Sequence, residues 1–211
     1  MPRVILVHGL GVSPRYFRPL AAELTDLDVA APDLRGGNGL DGMVRGLEAA
    51  VGAPGALLVG NSFGCQLIAE LAVRRPELVG AAVFVGPTVD RRHRTWLQQA
   101  GRLALDALRE PPLLVALVLR DYVQTGPLRT ARMARDALDD PVERKVERFD
   151  APLLVVRGEH DPLCPQEWAE ELVRRAPHGR LKVVRGAAHA AHYSHADAVA
   201  TLVRTLADTA T

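Results

Sequence analysis

Gly60-Asn61-Ser62-Phe63-Gly64 sets a serine between two glycines. The apolar run Ala56-Leu57-Leu58-Val59 comes just before it, and Cys65-Gln66-Leu67-Ile68-Ala69-Glu70-Leu71, with a helical period, just after. A serine at a tight strand-to-helix turn is held in a strained backbone conformation. The flanking glycines let strand and helix approach closely, and the hydroxyl stands at the C-terminal edge of the sheet. The helix N-terminus beside it favours negative charge developing nearby. These are the requirements of a nucleophile that attacks a carbonyl. A Gly-rich turn whose serine only caps a helix would show the same five letters, and the strand–turn–helix context favours the nucleophile.

A serine nucleophile needs a base, and the base needs an orienting acid. Leu181-Lys182-Val183-Val184-Arg185-Gly186-Ala187-Ala188-His189 reads as a strand, a small-residue loop and a presented histidine. Histidine supplies a near-neutral pKa with little tuning. His192 and His195 follow, but His189 comes first after the strand and the Gly-Ala-Ala turn lets its loop bend inward. Leu153 to Val156, then Arg157-Gly158-Glu159-His160-Asp161-Pro162, is a buried strand with a polar turn. Asp161 is the expected acid that orients the imidazole and stabilises its protonated form. Glu159 is the rival, less favoured because the turn must first clear the strand end. His8-Gly9-Leu10-Gly11 follows the first strand, so the N–H groups of Leu10 and Phe63 are the expected oxyanion donors, with His8 a structural hydrogen-bonding residue. The spacing of the three late histidines also raises a metal reading. No carboxylate stands among them as in a zinc-hydrolase helix, so no metal and no cofactor is expected.

The elements that must position these residues are legible as an alternation. Strand candidates are residues 4–7, 28–31, 56–59, 81–85, 153–156 and 181–184, mostly continuous apolar runs, as when helices cover both sheet faces. Helices are expected from Ser13-Pro14 to about Thr25 with Ser13 as N-cap, then over residues 40–51, 62–75, 166–175 and 196–206. The βαβα order implies an α/β fold with a doubly wound, mostly parallel sheet. Residues 90–148 hold no strand. Helical patterns run over 95–109, 113–123, 128–138 and 142–148, so this segment is read as a helical insertion between 1–89 and 149–211. Its apolar residues, among them Trp96, Leu97, Leu103, Leu113, Leu114 and Tyr122, are expected mostly to bury against one another.

Bulk properties limit the partners. In 211 residues, 26 Lys+Arg against 25 Asp+Glu leave a formal charge of +1, and the basic residues are scattered, nearly all Arg. That points away from nucleic acid. The run before His8-Gly9 is too short for a signal core or a membrane span, so no membrane partner is expected. Cys65 and Cys164 read as free thiols in a reducing compartment, and a cytoplasmic protein is expected. A monomer and a homodimer are equally open.

Taken together, these motifs resemble the α/β-hydrolase superfamily over nearly the whole chain. The order Ser62…Asp161…His189 is the order that fold imposes, and Pro32-Asp33-Leu34-Arg35-Gly36 is similar to the acidic, Arg-containing loop of many members, with Asp33 and Arg35 structuring it. The resemblance implies about six mostly parallel strands, with residues 90–148 as a helical cap. It also implies an acyl-enzyme on Ser62 in hydrolysis of an ester or thioester of a small-molecule acyl substrate. The chain departs from common members in its shortness and in Cys65, where a second glycine is frequent. The elbow is also similar to that of carbon–carbon hydrolases. That chemistry, lyase or cyclase chemistry, and a non-catalytic binding module stay open as alternatives.

Overall fold

The computed structural model describes residues 3–209. Met1, Pro2, Ala210 and Thr211, which the expected core ranges include, lie outside the described residues. In chain order come β1 (Val4–Val7), a 3₁₀ turn (Pro14–Phe17), α1 (Arg18–Glu23), β2 (Val29–Ala30), α2 (Gly39–Val51), β3 (Ala56–Asn61), α3 (Phe63–Arg74) and β4 (Val79–Val85). Four helices follow without a strand: α4 (Trp96–Ala107), α5 (Pro112–Thr125), α6 (Pro127–Asp139) and α7 (Val142–Lys145). Then come β5 (Leu153–Gly158), α8 (Gln166–Arg175), β6 (Gly179–Val184), α9 (Ala191–Ser194) and α10 (Ala196–Thr209).

The six strands form one sheet in the order β2-β1-β3-β4-β5-β6, and every neighbouring pair is parallel. Alternation sends successive side chains to opposite faces. Ile5, Val7, Leu58, Phe84 and Val155 join Met43, Leu47, Leu67, Ile68 and Trp168 in one apolar layer. Val4, Leu6, Leu57, Val59, Val83 and Val156 join Phe17, Leu20, Val199 and Val203 in the other. Because both faces are covered, β1, β3 and β5 are buried throughout, whereas the edge strand β6 is half-buried or exposed up to Val183 and buried only at Val184.

Strand order reverses between β1 and β3, and open α/β sheets bind ligands beyond the strand carboxyl ends at such a switch point. The loops after β1 and β3 carry Leu10 and Ser62, and the neighbouring ends of β5 and β6 carry Asp161 and His189.

The first helix differs from expectation. Ser13 makes no side-chain cap: its hydroxyl is buried without a hydrogen-bond partner among the described residues, while its backbone N–H donates to Asp121 Oδ2 of α5 at 2.7 Å. Tyr16 N donates to the Ser13 carbonyl at 3.0 Å, Pro14 opens a 3₁₀ turn, and the α-helix proper is only Arg18–Glu23. The helices between β4 and β5 also differ. In α4 the buried residue is Asp106, and in α5 the buried residues are Leu114 and Asp121. Their leucines do not mainly bury one another: Leu97 and Leu113 are exposed, whereas Trp96, Leu103, Leu114, Val115, Val118 and Tyr122 line a cavity.

Candidate active site

Ser62 stands between β3 and α3 with φ +55° and ψ −120°, and it alone among the described non-glycine residues has positive φ. A left-handed φ costs an L-residue roughly 1–2 kcal/mol, held here by the packing around the turn. The elbow glycines explain how the turn closes. A Cβ on Gly60 would stand 2.7 Å from Ile68 Cδ1 and 2.9 Å from Cys65 N, and one on Gly64 would collide with the Val7 carbonyl oxygen. Cys65 is buried behind the serine, its thiol directed at the Gly60 carbonyl, and burial pushes its pKa well up.

Asp161 and His189 meet where β5 and β6 end. Asp161 Oδ2 lies 2.9 Å from His189 Nδ1, and Asp161 Oδ1 accepts from Leu163 N at 2.8 Å and Cys164 N at 3.0 Å. Burial opposes ionisation of Asp161, but the His189 charge and these hydrogen bonds outweigh it and hold the carboxyl below its usual range. Burial likewise disfavours the imidazolium. The charge and hydrogen bond of Asp161, with Asp106 and Glu110 behind them, win and push His189 up to about 9. Glu159, the rival acid, accepts from Gly186 N at 2.9 Å and has no contact with His189 among the described residues. His192 is buried between Tyr16 and Phe17, with ring centroids 4.5 and 4.4 Å away, and His195 Nδ1 meets Ser194 Oγ at 3.0 Å.

Ser62 and His189 line one cavity of about 360 Å³, together with Leu10, Phe63, Thr88 and the inner faces of α4–α6. That volume falls in the range of small-molecule sites, about 300–1,000 Å³. Ser62 Oγ meets Thr88 Oγ1 at 3.3 Å, and no hydrogen bond joins it to the His189 ring among the described residues. The N–H groups of Leu10 and Phe63 have no hydrogen-bond partner among the described residues. His8 sits below this loop: Nδ1 donates to the Gly9 carbonyl and Nε2 accepts from Leu34 N, both at 2.9 Å, which requires the neutral ring that burial favours. Asp33 and Arg35 form a forked pair, Nε to Oδ1 at 2.9 Å and Nη2 to Oδ2 at 2.6 Å.

Several contributors carry no sequence signal of their own. Gly86, at the end of β4 with φ +54°, gives way to the acid–base pair: a Cβ there would stand 2.8 Å from His189 Nδ1 and 2.9 Å from Asp161 Oδ2. Asn61 Nδ2 donates to the carbonyls of Val85 (3.1 Å) and His189 (3.3 Å), tying the elbow, β4 and the His189 loop together. From the segment between β4 and β5, Asp106 Oδ1 accepts from His189 N at 3.1 Å and Glu110 Oε1 accepts from Ala190 N at 2.6 Å. Arg91 and Arg92 pair with Glu171 at 2.7 Å each, and Arg94 pairs with Glu143 at 2.6 Å, so this cluster is spent on the protein's own carboxylates.

The comparisons agree with this architecture. A sequence model described as the Alpha/beta hydrolase family matches residues 4–202. The chain is 30% identical to the pimeloyl-[acyl-carrier protein] methyl ester esterase of Neisseria meningitidis serogroup B, over 96% of this chain and 91% of that protein. Among solved structures, a thermophilic esterase from Thermogutta terrifontis superposes with TM-score 0.82 at 19% identity, covering 100% of this chain and 90% of the other. An enol-lactonase from Burkholderia xenovorans does so with TM-score 0.79 at 20% identity, covering 98% and 91%. The chain is a member of the alpha/beta hydrolase family, an esterase-like hydrolase.

Proposed function

We propose that this protein hydrolyses a carboxylic ester through an acyl-enzyme on Ser62, with His189 as general base and acid and Asp161 as its orienting partner. The observation that carries this reading is the Asp161–His189 bond at 2.9 Å beside a serine in strained φ that lines the same cavity. Asp161 engages Nδ1, which leaves Nε2 for the Ser62 proton. Ser62 Oγ then bonds to the ester carbonyl carbon, and the oxyanion rests on the N–H groups of Leu10 and Phe63. His189 returns its proton to the departing alkoxide, and a water activated the same way releases the acid. Losing one oxyanion donor in a comparable site costs about 3 kcal/mol.

Residues 90–148 act in this reading as a cap over the core formed by 1–89 and 149–211. The cavity is mainly apolar on its α4–α6 side, which suits an aliphatic or ring-bearing acyl chain, and the ester chemistry in the name of the Neisseria relative agrees with that class. The test is turnover of a p-nitrophenyl ester series of increasing acyl length by the wild type, Ser62→Ala and His189→Ala. Turnover by the wild type that both variants lose is expected. A folded wild type that cleaves none of the esters, or a Ser62→Ala variant that matches it, overturns the reading.

A further inference from the structure

We propose that Asp106 and Glu110 are positioning residues for His189: they carry the cap onto the backbone of the base loop, so the base is set for proton transfer when α4 is seated. This rests on the reading of His189 as the base. Asp106 lies in the last turn of α4 and Glu110 in the turn that follows the helix, where its N–H donates to the Asp106 carbonyl at 3.1 Å. They accept from consecutive N–H groups, His189 N and Ala190 N, at 3.1 and 2.6 Å. No other segment of the described residues reaches those two donors.

The environment of these acids argues against a merely structural role. Both line the cavity, and the second oxygen of Glu110 is buried there without a hydrogen-bond partner among the described residues. Burying carboxylates beside a third one, Asp161, costs stability, and an apolar or amide side chain would avoid that. Burial raises both acids, Glu110 to about 7; the Asp161 charge adds to the rise of each, and the Asp106 charge to that of Glu110. What they gain is the imidazolium. His189 is faced by Asp161 from the β5 loop, by Asp106 and Glu110 from the cap and by the neutral His192 on α9, with Arg109 acting on Asp106. The pair thus does for the loop backbone and the ring charge together what Asp161 does for Nδ1 alone. Seating of α4 and readiness of the base become one event.

Asp106→Asn and Glu110→Gln test this, because each keeps an oxygen acceptor and removes the charge. Two readouts are needed: the pH profile of kcat/KM on a p-nitrophenyl ester, and the NMR titration of the His189 ring. Taking a negative charge away disfavours the imidazolium, so the acid limb and the ring titration are expected to move to lower pH. The shift should be at least about half a pH unit per variant and larger in the double variant. Asp106→Ala, which also loses the acceptor, is expected to lose about 10- to 100-fold in kcat with KM little changed. Folded Asp106→Asn and Glu110→Gln proteins with both readouts at wild-type pH overturn the proposal. If no ester is turned over, the ester reading fails, and the ring titration still decides the positioning of His189.

Discussion

The sheet edge and the helices above it are built on opposite principles. At the edge, β1, β3 and β5 are wholly buried, and each site residue is locked by several independent contacts: the strained Ser62 turn, three hydrogen bonds to Asp161, and Gly86 pressed against the acid–base pair. Above it, α4 buries a single aspartate, while Leu97, Leu108 and Leu113 stand about four-fifths exposed. In the proposed reaction, chemistry that tolerates little misplacement sits on the buried sheet edge, and the acyl chain is met by helices that leave more of their surface exposed. Asp106 and Glu110 cross that boundary.

This contrast can be broken at the rigid end first. His189→Ala is expected to lower kcat by about 10⁴-fold or more, since in the proposed reaction the triad acts as a unit, and to lower the melting temperature, because Asp161 stays buried without its partner. Gly86→Ala comes next. It forces a Cβ onto the acid–base pair at a φ that L-residues avoid, so a loss of about 100-fold in kcat and a lowered melting temperature are expected. Unchanged activity in Gly86→Ala would show that the edge is softer than its contacts imply.

A third probe lies just behind the edge. His192 is pushed down to about 3 by burial first and then by the His189 charge, against an ordinary value of 6.5. Between those values the unfolded chain binds the proton and the folded one does not, so stability falls as pH falls through that window. His192→Phe removes this contribution, and its melting temperature is expected to drop less than that of the wild type between pH 7 and pH 4. Parallel melting curves across the window would contradict a neutral buried ring. At the loose end, Leu97→Gln and Leu108→Gln are expected to change unfolding free energy by no more than about 0.5 kcal/mol in denaturant titration.

The rigid half was the more legible half. Ser62 has a local motif, and Asp161 and His189 are the acid and imidazole that follow apolar strand runs, so their placement at neighbouring strand ends could be read from order alone. Gly86 could not: Val85-Gly86-Pro87 looks like any strand end, and its importance arises only because β4 lies between β3 and β5. Asp106 was hidden for the opposite reason. On an amphipathic helix an acid reads as solvent-facing, but α4 is seated with several leucines outward and its aspartate inward, a choice made by the base loop beneath it rather than by helical periodicity. Ser13 is hidden in the same way, since the partner of its backbone N–H, Asp121, lies more than a hundred residues along the chain.

The most direct test of the catalytic assignment is covalent. A fluorophosphonate probe should label the native protein at one residue, and peptide mass spectrometry should place the adduct on Ser62. Labelling is expected to vanish in Ser62→Ala and to slow by orders of magnitude in His189→Ala. An adduct on another residue, or none on well-folded protein, would contradict an activated Ser62.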